Sequence, residues 1–237
     1  MTDDVGILDS SNWYLEAHQQ KSPQYLMDSI LRHVEEGSHI AATDPTSLLV
    51  FSGGQTRKSA GKISEAESYV KVGQANDWFG HGATIRHRIA KEEFARNSLE
   101  NLMFPLCVFR SETGRYPEHI TMIGFEHKRL RFEQNHAHQA MQIPSKSFTY
   151  VGVDGSGSHI VMQETGIIFE EKLRDAFRQD PYACNGFLKE TKSARDPFNR
   201  GSVNSQYSCG EMSDLLNACD ILMDQNKNVR DLYVPWK

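Results

Sequence analysis

The sequence predicts an α/β fold built on a mostly parallel sheet with helices on both faces. Three observations predict it. Short continuous apolar runs occur at residues 48–51, 119–125 and 148–153. Stretches with helical spacing alternate with them. The first two runs end on glycine, and the third leads into the glycine-containing loop "DGSGS". Continuous apolar runs suit strands buried on both faces, and strands alternating with helices are the pattern of crossover-connected parallel strands.

In chain order, residues 25–34 carry Leu26, Ile30 and Val34 at helical spacing. Asp44-Pro45 marks a turn. The apolar run at 48–51 stops at Ser52-Gly53-Gly54. A helix follows from Ser64, an N-cap residue at capping-box spacing from Glu67. Residues 73–87, with Gly80, His81, Gly82 and His87, read mostly as loop. Residues 92–110 read as the clearest helix. Ala95, Leu99, Leu102, Leu106 and Phe109 form its apolar stripe, and Glu93, Asn97, Glu100 and Asn101 a polar one. A turn at 114–117 precedes the second run, a helix at 128–141 closes before Pro144, and the third run follows. Residues 166–177 and 212–223 read as helical. The polar stretch between them, 181–208, is either an ordered lid or a mobile excursion. Residues 1–165 are expected to form the α/β domain, with 166–237 a helical and polar extension packed on it.

Composition excludes several classes. With 38% hydrophobic and 24% charged residues the chain is an ordinary globular one rather than disordered. A net charge of −5 argues against a dedicated nucleic-acid binder, and no apolar run is long enough to span a bilayer. The start, "MTDDVGILDSSNW", shows no secretory signal, so a cytoplasmic address is expected. Cys107, Cys184, Cys209 and Cys219 form no C-x-x-C pair, so neither a zinc nor a redox motif is indicated and free thiols are expected.

Ligands of open α/β sheets bind beyond the carboxyl ends of the strands, where glycines admit a ligand and helix N-termini offer free N–H groups. Ser52, Gly53 and Gly54, with Gln55, Thr56 and Arg57 behind them, are placed to cradle an anion or nucleotide; a tight turn that merely reverses the chain is the competing reading. His127 follows the second strand, where a general acid or base would sit, and Arg129 and Arg131 could pair with phosphate or carboxylate. There is no G-x-S-x-G, no P-loop lysine pattern, no G-x-G-x-x-G and no H-E-x-x-H. His136 and His138 face different directions on a helix, so no metal site is expected.

The blocks "LLVFSGG", "SEAESY", "EEFARNSLENLMF" and "ITMIGFEHKRLRF", in that order, resemble the YdcF-like family, also called SanA-like, whose shared domain is of unknown function. The segments "TGRYPEHIT", "YVGVD", "DPYAC", "RDPFNR" and the terminal "PW" resemble its eukaryotic, mainly fungal, branch, and the resemblance covers nearly the whole chain. It implies a Rossmann-like three-layer sandwich and cleft positions at Ser52, Gly53, Gly54, Glu65, Glu92, Asn97, Ser98, Glu100, Asn101 and His127. S-adenosylmethionine, bound by one bacterial member, is the cofactor it suggests. Ala95 departs from the pattern, since many bacterial members have serine there. Family members also begin with an apolar strand and a glycine-containing loop, whereas only "MTDDVGIL" precedes the matching segment here. If that first strand is absent, the strands at 48–51 and 119–125 must either pair directly or leave a gap.

The functional expectation is an intracellular enzyme acting on a small anionic or nucleotide-like molecule. His127 and Glu92 are the catalytic candidates, and the glycine loop binds through its backbone N–H groups. The alternative is a non-catalytic binding or regulatory module for S-adenosylmethionine or a nucleotide. Lys189, Lys192, Arg195 and Arg200, interspersed with Pro197, Phe198 and Gly201, suit a lid over an anionic ligand better than a packed helix; a solvated loop is the plainer reading.

Overall fold

A computed structural model describes residues 13–15, 20, 22–156, 160–203, 206–207, 209–224 and 226–236. Helix α1 (Pro23–Thr43) starts with proline in its first turn, where a missing N–H costs nothing, and buries Leu26, Ile30, Val34 and Ala41. The Arg88 guanidinium collects the carbonyls of Ala41, Asp44 and Ser47 at its far end. Helix α2 (Glu65–Ala75) is capped as expected: Ser64 Oγ accepts from Glu67 N at 2.9 Å. The carboxylate of Glu67 turns to Lys91 instead of closing the box.

The fold is mixed α/β with short parallel sheets. β1 (Leu49–Ser52) pairs in parallel with β2 (Ile89–Glu92), and β3 (Ile120–Gly124) with β4 (Phe148–Gly152). No ladder joins the two sheets among the described residues. They nevertheless lie under one helix. A Cβ built on Gly37 of α1 would sit 3.1 Å from Leu49 Cδ1 and 3.5 Å from Ile123 Cδ1. Of the two possibilities for β1 and β3, direct pairing does not occur among the described residues. The runs that read as strands buried on both faces are accordingly only partly buried, with Phe51 alone fully buried in β1 and no residue fully buried in β3.

The helix expected over 92–110 is corrected at its start. Residues 89–92 are strand β2, 93–99 are loop, and helix α3 runs Glu100–Thr113. Asn97 caps it, accepting from Glu100 N at 2.9 Å, while the Glu100 carboxylate reaches back to Arg96 N at 2.9 Å. Asn97-x-x-Glu100 is thus a start signal of the capping-box kind, and the apolar spacing through Ala95 and Leu99 masked it. Residues 73–87 are also more ordered than a loop. Asp77, Trp78 and Phe79 make a left-handed turn, followed by the one-turn helix Gly82–Ile85.

Helix α4 (Arg131–Ala140) is a π-helix, α5 spans Ile160–Gln179 and α6 spans Gly186–Ala194. The boundary drawn at 165/166 therefore falls inside α5. The packing sorts into two cores. Val34, Phe51, Val70, Trp78 and Ile85 form one beside β1 and β2. The other joins Leu102, Phe104, Met141 and Tyr150 to Phe177, Tyr182, Leu188, Met212, Leu215 and Val234 of the carboxyl-terminal part.

The expectation of free thiols is overturned. Cys107 pairs with Cys209 and Cys184 with Cys219, at Cα separations of 5.1 and 5.3 Å. Each bond joins positions far apart in the chain, which spacing alone does not reveal. Such bonds persist in oxidising compartments and are rare in the cytosol, so the pairing pulls against the cytoplasmic expectation. No helix among the described residues is long and apolar enough to cross a membrane.

Candidate functional site

The chain turns sharply at the ends of β1 and β2. Gly53 has φ +155°, and a Cβ there would lie 2.6 Å from Glu65 Cβ; a Cβ on Gly54 would lie 2.5 Å from the Ala95 carbonyl oxygen. The glycines let the start of α2 and the loop after β2 close onto β1. Their N–H groups are already used: Gly53 N donates to Glu92 O at 3.0 Å and Gly54 N to Ala95 O at 2.9 Å. The N-terminal amides of α2 are used too, with Glu65 N on Gly54 O, Ala66 N on Gly53 O and Glu67 N on Ser64 Oγ. The expected backbone cradle for an anion is corrected on this point. The turn serves packing, and its amides are already bonded within the chain.

Glu92 is fully buried. Its Oε1 accepts from Phe94 N at 2.5 Å and Ala95 N at 3.0 Å, and its Oε2 from Ser52 Oγ at 2.5 Å. Ser52 Oγ also lies 3.1 Å from Asn101 Oδ1. Burial raises the Glu92 carboxyl to about 7 against the pull of these donors. The group draws together Ser52, Glu92 and Asn101 as a staple that shapes the loop, so Glu92 holds structure here rather than facing a ligand. Glu65 stands beside Gly53 and accepts from Thr56 at 3.3 Å. Asn97 Oδ1 and Glu100 are spent on the cap of α3, with Glu100 also held by Arg96, while the buried Asn97 Nδ2 has no partner. Pro105 lies inside that helix and brings no N–H for the Asn101 carbonyl.

The end of β3 is built differently. Arg129 is absorbed by Glu126 and by the Tyr150 carbonyl. Arg131 makes a buried two-point pair with Glu170 at 2.6 and 2.9 Å, and its Nη1 donates to Ser98 Oγ at 2.6 Å. Both arginines read as phosphate partners are therefore already paired. Ser98 Oγ also meets His136 Nε2 at 2.8 Å, which brings the ends of β2 and β3 together. His136 is fully buried and its Nδ1 has no partner. Burial, aided by Arg131, drives its pKa well below the ordinary value. The imidazole stays neutral and is a poor base for Ser98.

His127 makes no side-chain hydrogen bond among the described residues; its ring lies 5.4 Å from that of Phe125. Burial and then the Lys128 charge lower its pKa, so it too is neutral near pH 7. Lys128 sets its Nζ 4.6 Å from the centroid of the Phe125 ring, with no carboxylate within ion-pair reach among the described residues. Burial, joined by Arg131 and Arg195 and opposed by Glu170 and Glu65, pulls its pKa down to about 8. On the far side of Phe125, His33 Nε2 donates to Val153 O at 2.7 Å, and burial holds its pKa down to about 4.

The segment read as a lid is ordered, and part of it is helix α6. Arg200 lies 4.2 Å over the Phe94 ring and donates to Glu93 O at 2.5 Å, which makes it a packing residue. Arg195 donates to Arg96 O at 3.3 Å, and its charge is felt by both Lys128 and Arg57. Sequence reading missed Lys128, His136, Glu170 and His33 as site residues. Only Lys128 had a signal, its place in the charged turn after β3.

Among the described residues no cluster of three or more metal-ligating side chains occurs. A cavity of ≈ 520 Å³ beside Arg110, Gly114 and Glu211 lies at the carboxyl end of α3, about 20 Å along that helix from the groups described above. No family model matches the chain, and no solved structure matches it. The Saccharomyces cerevisiae protein YOR238W, itself uncharacterised, is 27% identical over 201 residues, a match covering 68% of this chain and 66% of that protein. The chain thus spans just under two thirds of the length of this relative.

Proposed function

We propose that the chain binds a small anionic or nucleotide-like ligand at the carboxyl ends of its strands, with Lys128 as the principal contact. Lys128 carries this reading: its ammonium has no carboxylate within ion-pair reach among the described residues, while neighbouring Arg129 and Arg131 are ion-paired. A buried or half-buried cation without a counter-charge is costly, and a bound anion would relieve that cost. Arg195 and Arg57 add positive potential on the same side.

The YdcF-like resemblance fits this reading and remains part of the proposal, as does the Rossmann-like sandwich. The two parallel pairs are then two halves of one sheet. Within that frame the protein is an enzyme in which neutral His127 exchanges protons with the bound ligand. The non-catalytic alternative, a nucleotide or S-adenosylmethionine binder, draws support from a specific observation: Glu92 is saturated by Ser52, Phe94 and Ala95, and His136 has nothing to hold its Nδ1.

The test is a thermal-shift series with inorganic phosphate, nucleotides and S-adenosylmethionine on the chain and on Lys128→Met. A phosphate-bearing ligand should raise the midpoint of the parent chain, because it binds only the native state, and the variant should lose that rise. Equal shifts in both proteins would remove Lys128 from the site. Consumption of the stabilising ligand then separates enzyme from binder.

A further inference from the structure

We propose that Lys128 is a carbonyl-reactive lysine that forms an imine with small anionic aldehydes or ketones held at the strand ends. The inference rests on the anion-binding reading above and names its substrate class. The geometry is that of an amine kept available. Lys128 stands in the turn after β3, is partly accessible, and uses no acceptor among the described residues. The Phe125 ring gives it an apolar wall at 4.6 Å. Arg131 and Arg195 are the positive neighbours that disfavour a second charge, and Glu170 and Glu65 oppose them without forming an ion pair. The depressed pKa of about 8 agrees with that setting.

Two comparisons inside the chain sharpen the point. Lys192 is also shifted downward by burial, but its Nζ donates to Tyr182 O at 3.0 Å and is occupied. Lys91 is ion-paired to Glu67 at 2.5 Å and shifted upward. Only Lys128, among these three, is both depressed and unbound.

The step balances without an oxidant or reductant. The neutral Nζ attacks the carbonyl carbon, and the π pair moves to oxygen, which takes a proton. The resulting carbinolamine loses its hydroxyl as water after a second protonation, while nitrogen gives up its protons. Amine and carbonyl become imine and water. His127, adjacent in sequence and neutral, is placed to shuttle these protons. The carboxylate or phosphate of the substrate would be held by the charges of Arg195 and Arg57.

The experiment treats the full chain with glycolaldehyde phosphate and sodium cyanoborohydride, which delivers hydride to an imine, and maps the reduced adduct by peptide mass spectrometry. At pH 7.5 the neutral fraction of an amine with pKa about 8 exceeds that of an ordinary lysine by roughly a hundredfold. Allowing for its weaker nucleophilicity, labelling at Lys128 should exceed that at any other lysine by roughly tenfold. Excess inorganic phosphate should suppress it, and Lys128→Arg should lose the adduct. Labelling spread over Lys192 and surface lysines without preference would overturn the proposal, and the parent chain supplies that answer without any variant. A chain that phosphate stabilises but that takes no adduct at Lys128 sinks the imine and leaves the binding reading standing. An adduct at Lys128 that phosphate does not suppress keeps the reactive lysine and removes the anion site.

Discussion

At the ends of β1 and β2 most polar groups consume one another, the buried Asn97 Nδ2 being an exception. Glu92 accepts from Ser52, Phe94 and Ala95, the Gly53 and Gly54 amides reach carbonyls, and α2 is fully capped. At the end of β3, among the described residues, Lys128 has no ion-pair partner, the His127 ring has no hydrogen bond, and His136 keeps an orphaned Nδ1. Both ends look equally polar as sequence. The difference teaches that saturation marks a scaffold, while a polar group left wanting in a crowded place marks where a ligand would be accepted, since native structures rarely leave such groups unpaired.

The contrast can be broken most forcefully at Gly54. Gly54→Ala puts a methyl 2.5 Å from the Ala95 carbonyl oxygen and 3.2 Å from the Phe94 carbonyl carbon, both backbone atoms with little room to yield. The expected loss is about 3 kcal/mol, read as a lower urea midpoint at unchanged slope. A midpoint within error of the parent would mean that the turn is looser than a packing role requires.

A comparably large effect separates the two ends by pH. Glu92 is an acid raised to about 7, so the native state holds its proton longer than the unfolded chain does. Its contribution to stability is present below about 4.5 and is lost as pH rises toward 7. His33 is a base lowered to about 4, so the unfolded chain binds the proton first. Its contribution is present above about 6.5 and is lost as pH falls toward 4. Each amounts to about 3 kcal/mol, with opposite slopes over nearly the same window, so the two largely offset each other. Removing Glu92 from the balance with Glu92→Gln should leave stability rising with pH between 4 and 7. His33→Gln should tilt the profile downward relative to the parent, with the lowered pKa of buried His136 still opposing Glu92. Parallel profiles for parent and both variants would show that neither group titrates as its surroundings imply.

The smallest expected effect distinguishes the two arginines of the carboxyl-terminal segment. Arg200→Ala should cost about 1 kcal/mol of stability through the lost Phe94 contact and the bond to Glu93 O, with ligand shifts unchanged. Arg195→Ala should leave the urea midpoint nearly in place and reduce the thermal shift given by phosphate. The reverse pattern would return Arg200 to the site and make Arg195 the packing residue.

Sequence by itself determined what neighbouring residues decide. Ser64 followed by Glu67 set the start of α2, apolar spacing set α1, and the runs at 48–51, 119–125 and 148–153 announced β1, β3 and β4, because capping, periodicity and strand preference act within a few residues. It also led to Ser52, Glu92, Asn101, Ser98 and His127, since polar residues at strand ends are placed by the chain that carries them. Tertiary structure alone decided the rest. Residues 89–92, which no apolar run had marked, became a strand because β1 offered a parallel edge. The glycines of the turn turned out to serve the approach of Glu65 and Ala95. Cys107 found Cys209, Arg131 found Glu170 and Ser98, and Lys128 was left with none of the carboxylates in reach. Whether a charge is matched depends on groups tens of residues away, whose positions follow from the packing of whole elements against one another.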